Sequence, residues 1–368
     1  MLVFISAGEA SGDAYGAALA EELRKADATI HLTAIGGPKM LSAGIKLICN
    51  STDWGVVSIF QVLRKLPTLW AGFRDAKRFL AKAHQNDGGS KLFVPIDFGY
   101  MNIRLARYAK QHGWKVLYFV PPGSWRRDKQ GADLPVVTDS VVTPFSWSAE
   151  ILNSMGANAH WFGHPIKQLL TGPRDEVRGS RIAVLPGSRA HEIEENLPLI
   201  AAAVSSKQEL EFALAPSVNL AHFQRDWEKL TGRTQDLFTV ANSASVLRRA
   251  SAAIVCSGTA TLEAALCRCP MVVVYKLSKG MQMEVRLLRI KRPKFVALPN
   301  ILLDRAVVPE LIQEDATPES VREALATLLS DTPEREQQLS DFEELDQVLG
   351  PVDSISQTAR LALRMVKG

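Results

Sequence analysis

Short apolar and β-branched runs alternate with longer helical stretches along this chain, and the alternation runs through twice. The first series of candidate strands is Leu2–Ser6, His31–Ile35, Leu92–Ile96, Lys115–Val120 and Ser140–Thr143. The second is Arg181–Leu185, Glu211–Ala215, Phe238–Val240, Ala253–Cys256 and Met271–Tyr275. Between the first two strands, Asp13–Lys25 can present Ala17, Leu19, Ala20 and Leu23 as the inward face of a helix. Strands joined by helical crossovers lie parallel, and parallel sheets need helices on both faces. The pattern predicts an α/β fold of two Rossmann-like, doubly wound domains facing a cleft, followed by C-terminal helices from Pro318 onward.

The stretch Gly163–Ser180 has two prolines, three glycines and no strand signal, which suits a linker. Expected boundaries are residues 1–165, 166–345, and a C-terminal helix over 346–368 that is free to cross back to the first domain. A length of 368 residues fits two domains. Charged residues make up 22% and apolar residues 46%, which excludes global disorder and a polytopic membrane protein. The net charge of +4 marks no nucleic-acid binder. Cys49, Cys256, Cys267 and Cys269 give neither a disulfide framework nor zinc-ligand spacing, so reduced thiols are expected. His160 and His164 are four apart, but Gly163 and Pro165 argue against a helix there, and no metal site is expected. The opening run reads as a strand and not as a signal peptide, and no apolar run reaches the ~18 residues of a membrane span. A cytoplasmic location follows as the expectation.

Five segments carry candidate chemistry. SAGEASGD (Ser6–Asp13) ends a strand in a glycine turn before a helix. It is either an ordinary strand-to-helix turn or a place where backbone N–H groups meet an anion or a sugar. Its glycines lack the G-x-G-x-x-G spacing, so no nicotinamide cofactor is expected. LPGSR (Leu185–Arg189) repeats the strand–turn–helix pattern, with an arginine that is either solvated or paired with a phosphate. CSGTATLEAAL (Cys256–Leu266) offers small hydroxylated residues through which a pyrophosphate can approach the backbone, and Glu263, which can accept from ribose hydroxyls; a helix cap with a surface glutamate is the alternative. Leu298–Gln313 holds the polar residues Asn300, Glu310 and Gln313 among apolar ones, as either core and loop or a wall of the cleft. Val56–Lys82 carries six basic residues against Asp75 alone, a net charge of +5, interleaved with aromatic and aliphatic residues. That makes it either an interfacial membrane helix, helped by Arg286, Arg289, Lys291, Arg292 and Lys294, or an ordinary helix packed on a sheet.

Taken in order, SAGEASGD, IGGPKM (Ile35–Met40), GHP (Gly163–Pro165), LPGSR, SGTATLE, VVYK (Val273–Lys276), LPNIL and VPELIQ resemble the lipid-A-disaccharide synthases, glycosyltransferases of GT-B architecture. The resemblance covers nearly the whole chain. It implies transfer of 2,3-diacylglucosamine from UDP to 2,3-diacylglucosamine 1-phosphate, forming a β(1→6) bond with inversion and releasing UDP, without a cofactor or bound metal. It implies Asp97 as general base, with Glu9 and Ser11 lining the reaction pocket. Gly187, Ser188, Arg189, Ser257, Gly258, Thr259, Thr261, Glu263, Asn300, Glu310 and Gln313 would bind the UDP-sugar. Phe60, Leu63, Trp70, Phe73, Arg74, Lys77 and Arg78 would touch an anionic membrane, placing the protein peripherally on the inner face of the inner membrane. A homodimer is left open, and no nucleic acid is implied.

Two segments depart from the family pattern. IDFGYMN (Ile96–Asn102) stands where the family reads IDAPDFN, so Asp97 keeps the first acid and Tyr100 replaces the second. VPPGSWRRD (Val120–Asp128) stands for VSPQVWAWR. Both belong to the acceptor domain, so donor binding is the firmer expectation. The alternatives are another GT-B reaction, such as UDP-GlcNAc epimerisation or transfer to a different lipid, and a UDP-sugar-binding homologue that has lost its chemistry.

Overall fold

The computed structural model describes residues 1–52, 54, 59–86, 89–170, 179–256, 258–289 and 293–367, without the side chains of 59–64, 84–86, 279 and 367. Two compact units divide the chain. The first is Met1–Leu169 with Leu349–Gly368, and the second is Leu170–Val348.

The first unit alternates strand and helix in the order β1 (Leu2–Ala7), α1 (Ala10–Ala26), β2 (His31–Gly36), α2 (Pro38–Ser42), β3 (Lys46–Asn50), α3 (Ile59–Asn86) and β4 (Lys91–Ile96). It continues with α4 (Gly99–Gln111), β5 (Lys115–Phe119), α5 (Leu134–Val137), β6 (Ser140–Thr143), α6 (Ser146–Ser154), β7 (Ala159–Trp161) and α7 (Pro165–Leu169). Its strands form one parallel sheet in the order β3-β2-β1-β4-β5-β6-β7. The direction of winding reverses between β1 and β4, whose register pairs Ala7 with Ile96 at their carboxyl ends. Phe4, Phe93, Ile35, Leu105 and Trp114 lie in the core on the α3 and α4 side of the sheet. A sheet buried on both faces selects continuous apolar runs, and LVFISA and KLFVPI are such runs.

The second unit contains β8 (Ile182–Leu185), α8 (Ala190–Ala203), β9 (Leu210–Leu214), α9 (Leu220–Thr231), β10 (Leu237–Val240), α10 (Ser243–Arg249) and β11 (Ala252–Cys256). It then runs through α11 (Ala260–Leu266), β12 (Met271–Tyr275), α12 (Lys279–Leu287), α13 (Leu298–Leu303), β13 (Glu310–Ile312), α14 (Pro318–Leu329) and α15 (Pro333–Val348). Its parallel sheet has the order β10-β9-β8-β11-β12-β13, the strand order of a dinucleotide-binding Rossmann domain. The reversal here lies between β8 and β11, with Leu185 opposite Val255. Phe212, Trp227 and Phe223 form edge-to-face pairs in its core.

The last helix, α16 (Ser354–Lys367), belongs to the first unit. Gln168 accepts from the N–H groups of Ile355 and Ser356, Ser356 Oγ donates to Glu22 of α1 at 2.7 Å, and Lys167 Nζ donates to Gly350 O at 2.6 Å. The sequence reading finds ten of the thirteen strands among the described residues and misses β3, β7 and β13. All three are edge strands, with one neighbour each, so their residues need be apolar on less of their surface. The helix after β1 starts at Ala10 and not near Asp13. Asp13 is buried, and its carboxylate accepts from the N–H groups of Gly37, Lys39 and Met40 at 2.7, 2.9 and 3.1 Å. SAGEASGD and IGGPKM are thus two halves of one structural contact, in which a carboxylate caps the start of α2.

Candidate active site

In an open parallel sheet, the loops at a winding reversal splay apart and leave a crevice beyond the carboxyl ends of the strands. In the first unit those loops are Gly8–Glu9 after β1 and Asp97–Phe98 after β4, neighbours because Ala7 pairs with Ile96. Asp97 and Phe98 both have left-handed backbones, with φ of 45° and 50°, and Val120, at the end of the adjacent β5, has φ 53°. Three such non-glycine residues at one sheet edge must be held by their surroundings.

Asn102 does much of the holding. It is fully buried in α4, accepts from Ser6 Oγ at 2.7 Å, and donates to the carbonyls of Ser6, Ile96 and Asp97. Its side chain therefore ties the end of β1 to the end of β4. The Tyr118 hydroxyl from β5 donates to the Asp97 carbonyl at 2.8 Å. The backbone is fixed on three sides, and the Asp97 carboxyl is left half-buried beside Glu9. Burial, then the Glu9 charge, push its pKa up to about 6, although the Phe98 N–H partly stabilises the carboxylate. A carboxylate of that basicity is suited to taking a proton from a hydroxyl near neutral pH. Ser11 lies half-buried in the first turn of α1.

The two departures from the family pattern fall around this crevice. Tyr100 is 76% exposed in the first turn of α4, with the Arg104 guanidinium 4.0 Å from its ring centroid. In the other, Trp125 is 46% exposed, and Arg126 forms a two-point ion pair with Asp128 at 2.9 and 2.6 Å.

In the second unit the corresponding loops are Pro186–Arg189 and the turn after Cys256. Gly187 and Gly258 have φ of +110° and +105°, conformations that side chains resist. Among the described residues, nothing lies within 4 Å of where a Cβ on Gly258 would stand, so the turn leaves space over the start of α11. Thr259 is the N-cap of α11, and its side chain makes no cap bond. Buried Thr261 donates to Gly258 O at 2.8 Å and accepts from Leu298 N, which fixes the turn from inside. Glu263 accepts from Ser243 Oγ. Ser257 lies outside the described residues.

Arg189 is the N-cap of α8, and its Nη1 donates to Glu192 at 2.7 Å. Glu192 also receives the backbone N–H groups of Ser188 and Arg189, so one buried carboxylate shapes the turn and orients the guanidinium. The signal was visible as an acid three residues after the cap, the spacing of a capping box.

Asn300 and Glu310 bond mainly with their own loop. Asn300 is 1% exposed, donates to Val308 O and Glu310, and accepts from Val307 N and Val308 N. Glu310 accepts from Val296 N and Ala297 N at the start of α13. These bonds shape the segment between α13 and β13. Gln313 differs: its backbone is left-handed at φ 57°, and its Nε2 is buried without a hydrogen-bond partner among the described residues. An unsatisfied donor on a strained residue at the end of β13 is ready for an acceptor from outside.

Of the residues expected at a membrane, Phe60 and Leu63 have side chains outside the description. Trp70 is 62% exposed on α3, Arg74 stacks over its ring at 5.1 Å, and Arg78 is largely exposed. Phe73 is half-buried and packs against the sheet core. Lys77 lies over the Tyr108 ring at 4.2 Å. Asn102 and Tyr118 escape a reading of the sequence because their partners Ser6 and Asp97 lie 96 and 21 residues away in the chain, whereas Glu192 lies three residues from the cap it serves.

The two-unit architecture has counterparts among known proteins. Two solved structures share the architecture, a calicheamicin glycosyltransferase (15% identical, TM-score 0.59, covering 100% of this chain and 99% of that one) and the UDP-GlcNAc 2-epimerase of Methanocaldococcus jannaschii in complex with UDP-GlcNAc and UDP (10%, 0.59, 99% of each chain). At these identities the likeness shows the GT-B fold alone. Lipid-A-disaccharide synthase of Acidobacterium capsulatum is 33% identical over 99% of this chain and 96% of its own length, and that of Nitrosococcus oceani is 30% identical over 100% and 97%. The lipid-A-disaccharide synthetase family model matches residues 3–362, and the chain belongs to that family.

Proposed function

We propose that the protein is an inverting glycosyltransferase that joins UDP-2,3-diacylglucosamine to 2,3-diacylglucosamine 1-phosphate, yielding the β(1→6) disaccharide and UDP. The observation that carries the chemistry is the Asp97 carboxyl, held by a rigid left-handed backbone at the reversal of the first sheet with a pKa of about 6. Family membership supports the substrates.

In this reading Asp97 accepts the proton of the acceptor 6-hydroxyl as that oxygen bonds to the donor's anomeric carbon. The bond from that carbon to the β-phosphate oxygen breaks, and its electron pair leaves with UDP. Glu9 keeps Asp97 basic, and Ser11, in the first turn of α1, lines the pocket beside it. Arg189 and the N–H groups that open α11 would face the diphosphate, where positive charge stabilises the leaving group. Gly187, Ser188, Gly258 and Thr259 let it approach the backbone, Thr261, Asn300 and Glu310 hold the loops, and Glu263 and Gln313 would meet the nucleoside.

Both sugars carry acyl chains, so the protein must work at a lipid surface. Among the described residues no helix is long and apolar enough to cross a membrane. We assign the contact to the outer face of α3, around Leu66, Trp70, Arg74 and Arg78, on the inner face of the inner membrane. Incubation with both acylated sugars, followed by mass spectrometry, should reveal the disaccharide and UDP. Asp97→Asn should lower turnover by about 100-fold or more, and an unchanged rate would remove Asp97 from the role of base.

A further inference from the structure

We propose that the outward face of α12, in the second unit, is a separate docking surface for an anionic lipid bilayer. Met283 and Leu287, four residues apart, share one face of the helix and are 67% and 80% exposed; Leu288 beside them is 46% exposed. Met281 points the other way and is 7% exposed, so the helix is seated and its outer apolar face is left over. Arg286 and Arg289 are exposed alongside. Over residues 281–289 these two arginines stand against Glu284 alone.

The combination selects the occupant. Large aliphatic side chains at this exposure need a partner that removes them from water. A second copy docked symmetrically through this face would set the basic residues of one copy against those of the other. A nucleic acid would neutralise the charge but leave the leucines wet. An anionic bilayer takes both, with the arginines at the headgroups and the aliphatic side chains in the acyl boundary. The surface goes beyond the α3 contact and relies on no catalytic role.

The test uses the full chain without substrate, sedimented with phosphatidylethanolamine vesicles that contain or lack phosphatidylglycerol. Met283→Ser with Leu287→Ser, and separately Arg286→Ser with Arg289→Ser, should each lower partitioning onto the anionic vesicles by about tenfold, with the arginine pair's effect fading in high salt. Thermal midpoint and UDP binding should stay at the parent's values, since all four side chains are exposed. A Trp70→Ser, Arg74→Ser, Arg78→Ser variant reports on α3 independently. If only that variant loses binding, the α12 proposal fails and the α3 assignment stands. The α12 proposal also fails if the parent ignores anionic vesicles, if the α12 variants alter oligomeric state and not partitioning, or if they change only the KM for the acylated donor.

Discussion

Asp97 combines a left-handed backbone with a carboxyl that ionises late, and the two have separable consequences. In the unfolded chain the group ionises near its usual 3.8, and in the fold near about 6, so the folded state binds more protons between those values. Stability therefore falls as pH rises through that window, and the full deficit is present above it. The shift corresponds to roughly 3 kcal/mol at most, and partial exposure reduces this to about 1–2 kcal/mol. Asp97→Asn, whose asparagine tolerates the left-handed region well, should raise the thermal midpoint at pH 7.5 and leave it nearly unchanged at pH 4, while turnover collapses. The parent's kcat/KM should climb with pH through about 6, and Glu9→Gln should move that midpoint lower by removing the neighbouring charge. A profile flat from pH 5 to 8 would be incompatible with Asp97 as the base. At the site proposed for UDP, Gln313→Met should weaken UDP binding by about five- to tenfold in calorimetry, the effect of losing one hydrogen bond, without loss of stability, because that donor has no partner among the described residues.

At the scale of elements, α3 divides into a half that serves the fold and a half that faces outward. Ala76 and Leu80 are fully buried, and Phe73 and Phe79 pack against the sheet, while Leu66 and Trp70 are exposed. Replacing Trp70, Arg74 and Arg78 with serine should cut sedimentation with anionic vesicles by about tenfold at low salt and leave UDP binding alone. A triple variant that sediments like the parent would make α3 an ordinary packed helix. The same division explains what was legible in the sequence. Central strands such as β1 and β11 announce themselves because both faces are buried, whereas β3, with polar ends, and the three-residue β7 and β13 give almost no periodic signal. The turns after β1, β8 and β11 could be read from glycines and hydroxyls next to apolar runs. The knot that makes Asp97 usable could not, since Ser6 and Asn102 are 96 residues apart and meet only once β1 and β4 pair. Asn300 and Glu310, polar among apolar residues, left two readings open, core and loop or a wall of the cleft; their hydrogen bonds run to each other and to backbone groups of the same segment.

For the whole molecule, the chain leaves the first unit at Leu169, builds the second, and returns at Leu349. Leu349 and Ile355 are fully buried, Leu361 is 8% exposed, and the Leu349 carbonyl accepts from His164 N at 2.7 Å. At about 1.5–3 kcal/mol for each large buried side chain, this segment contributes on the order of 5 kcal/mol or more to the first unit, a large share of an ordinary domain's stability. The segment's helix α16 packs against α1, α7, β4 and β5 of its own unit, and the second unit is built around a different core. It holds its own six-stranded sheet, its own core around Phe212 and Trp227, and both loops assigned to UDP. Stopping the chain after Val348 should therefore unfold the first unit selectively. Calorimetry of the shortened chain should lose the transition of that unit and keep a second one that UDP still raises, while sugar transfer disappears. If removal of the segment abolished UDP binding as well, the two units would be one cooperative body, and their separation in the chain's contacts would have no thermodynamic counterpart.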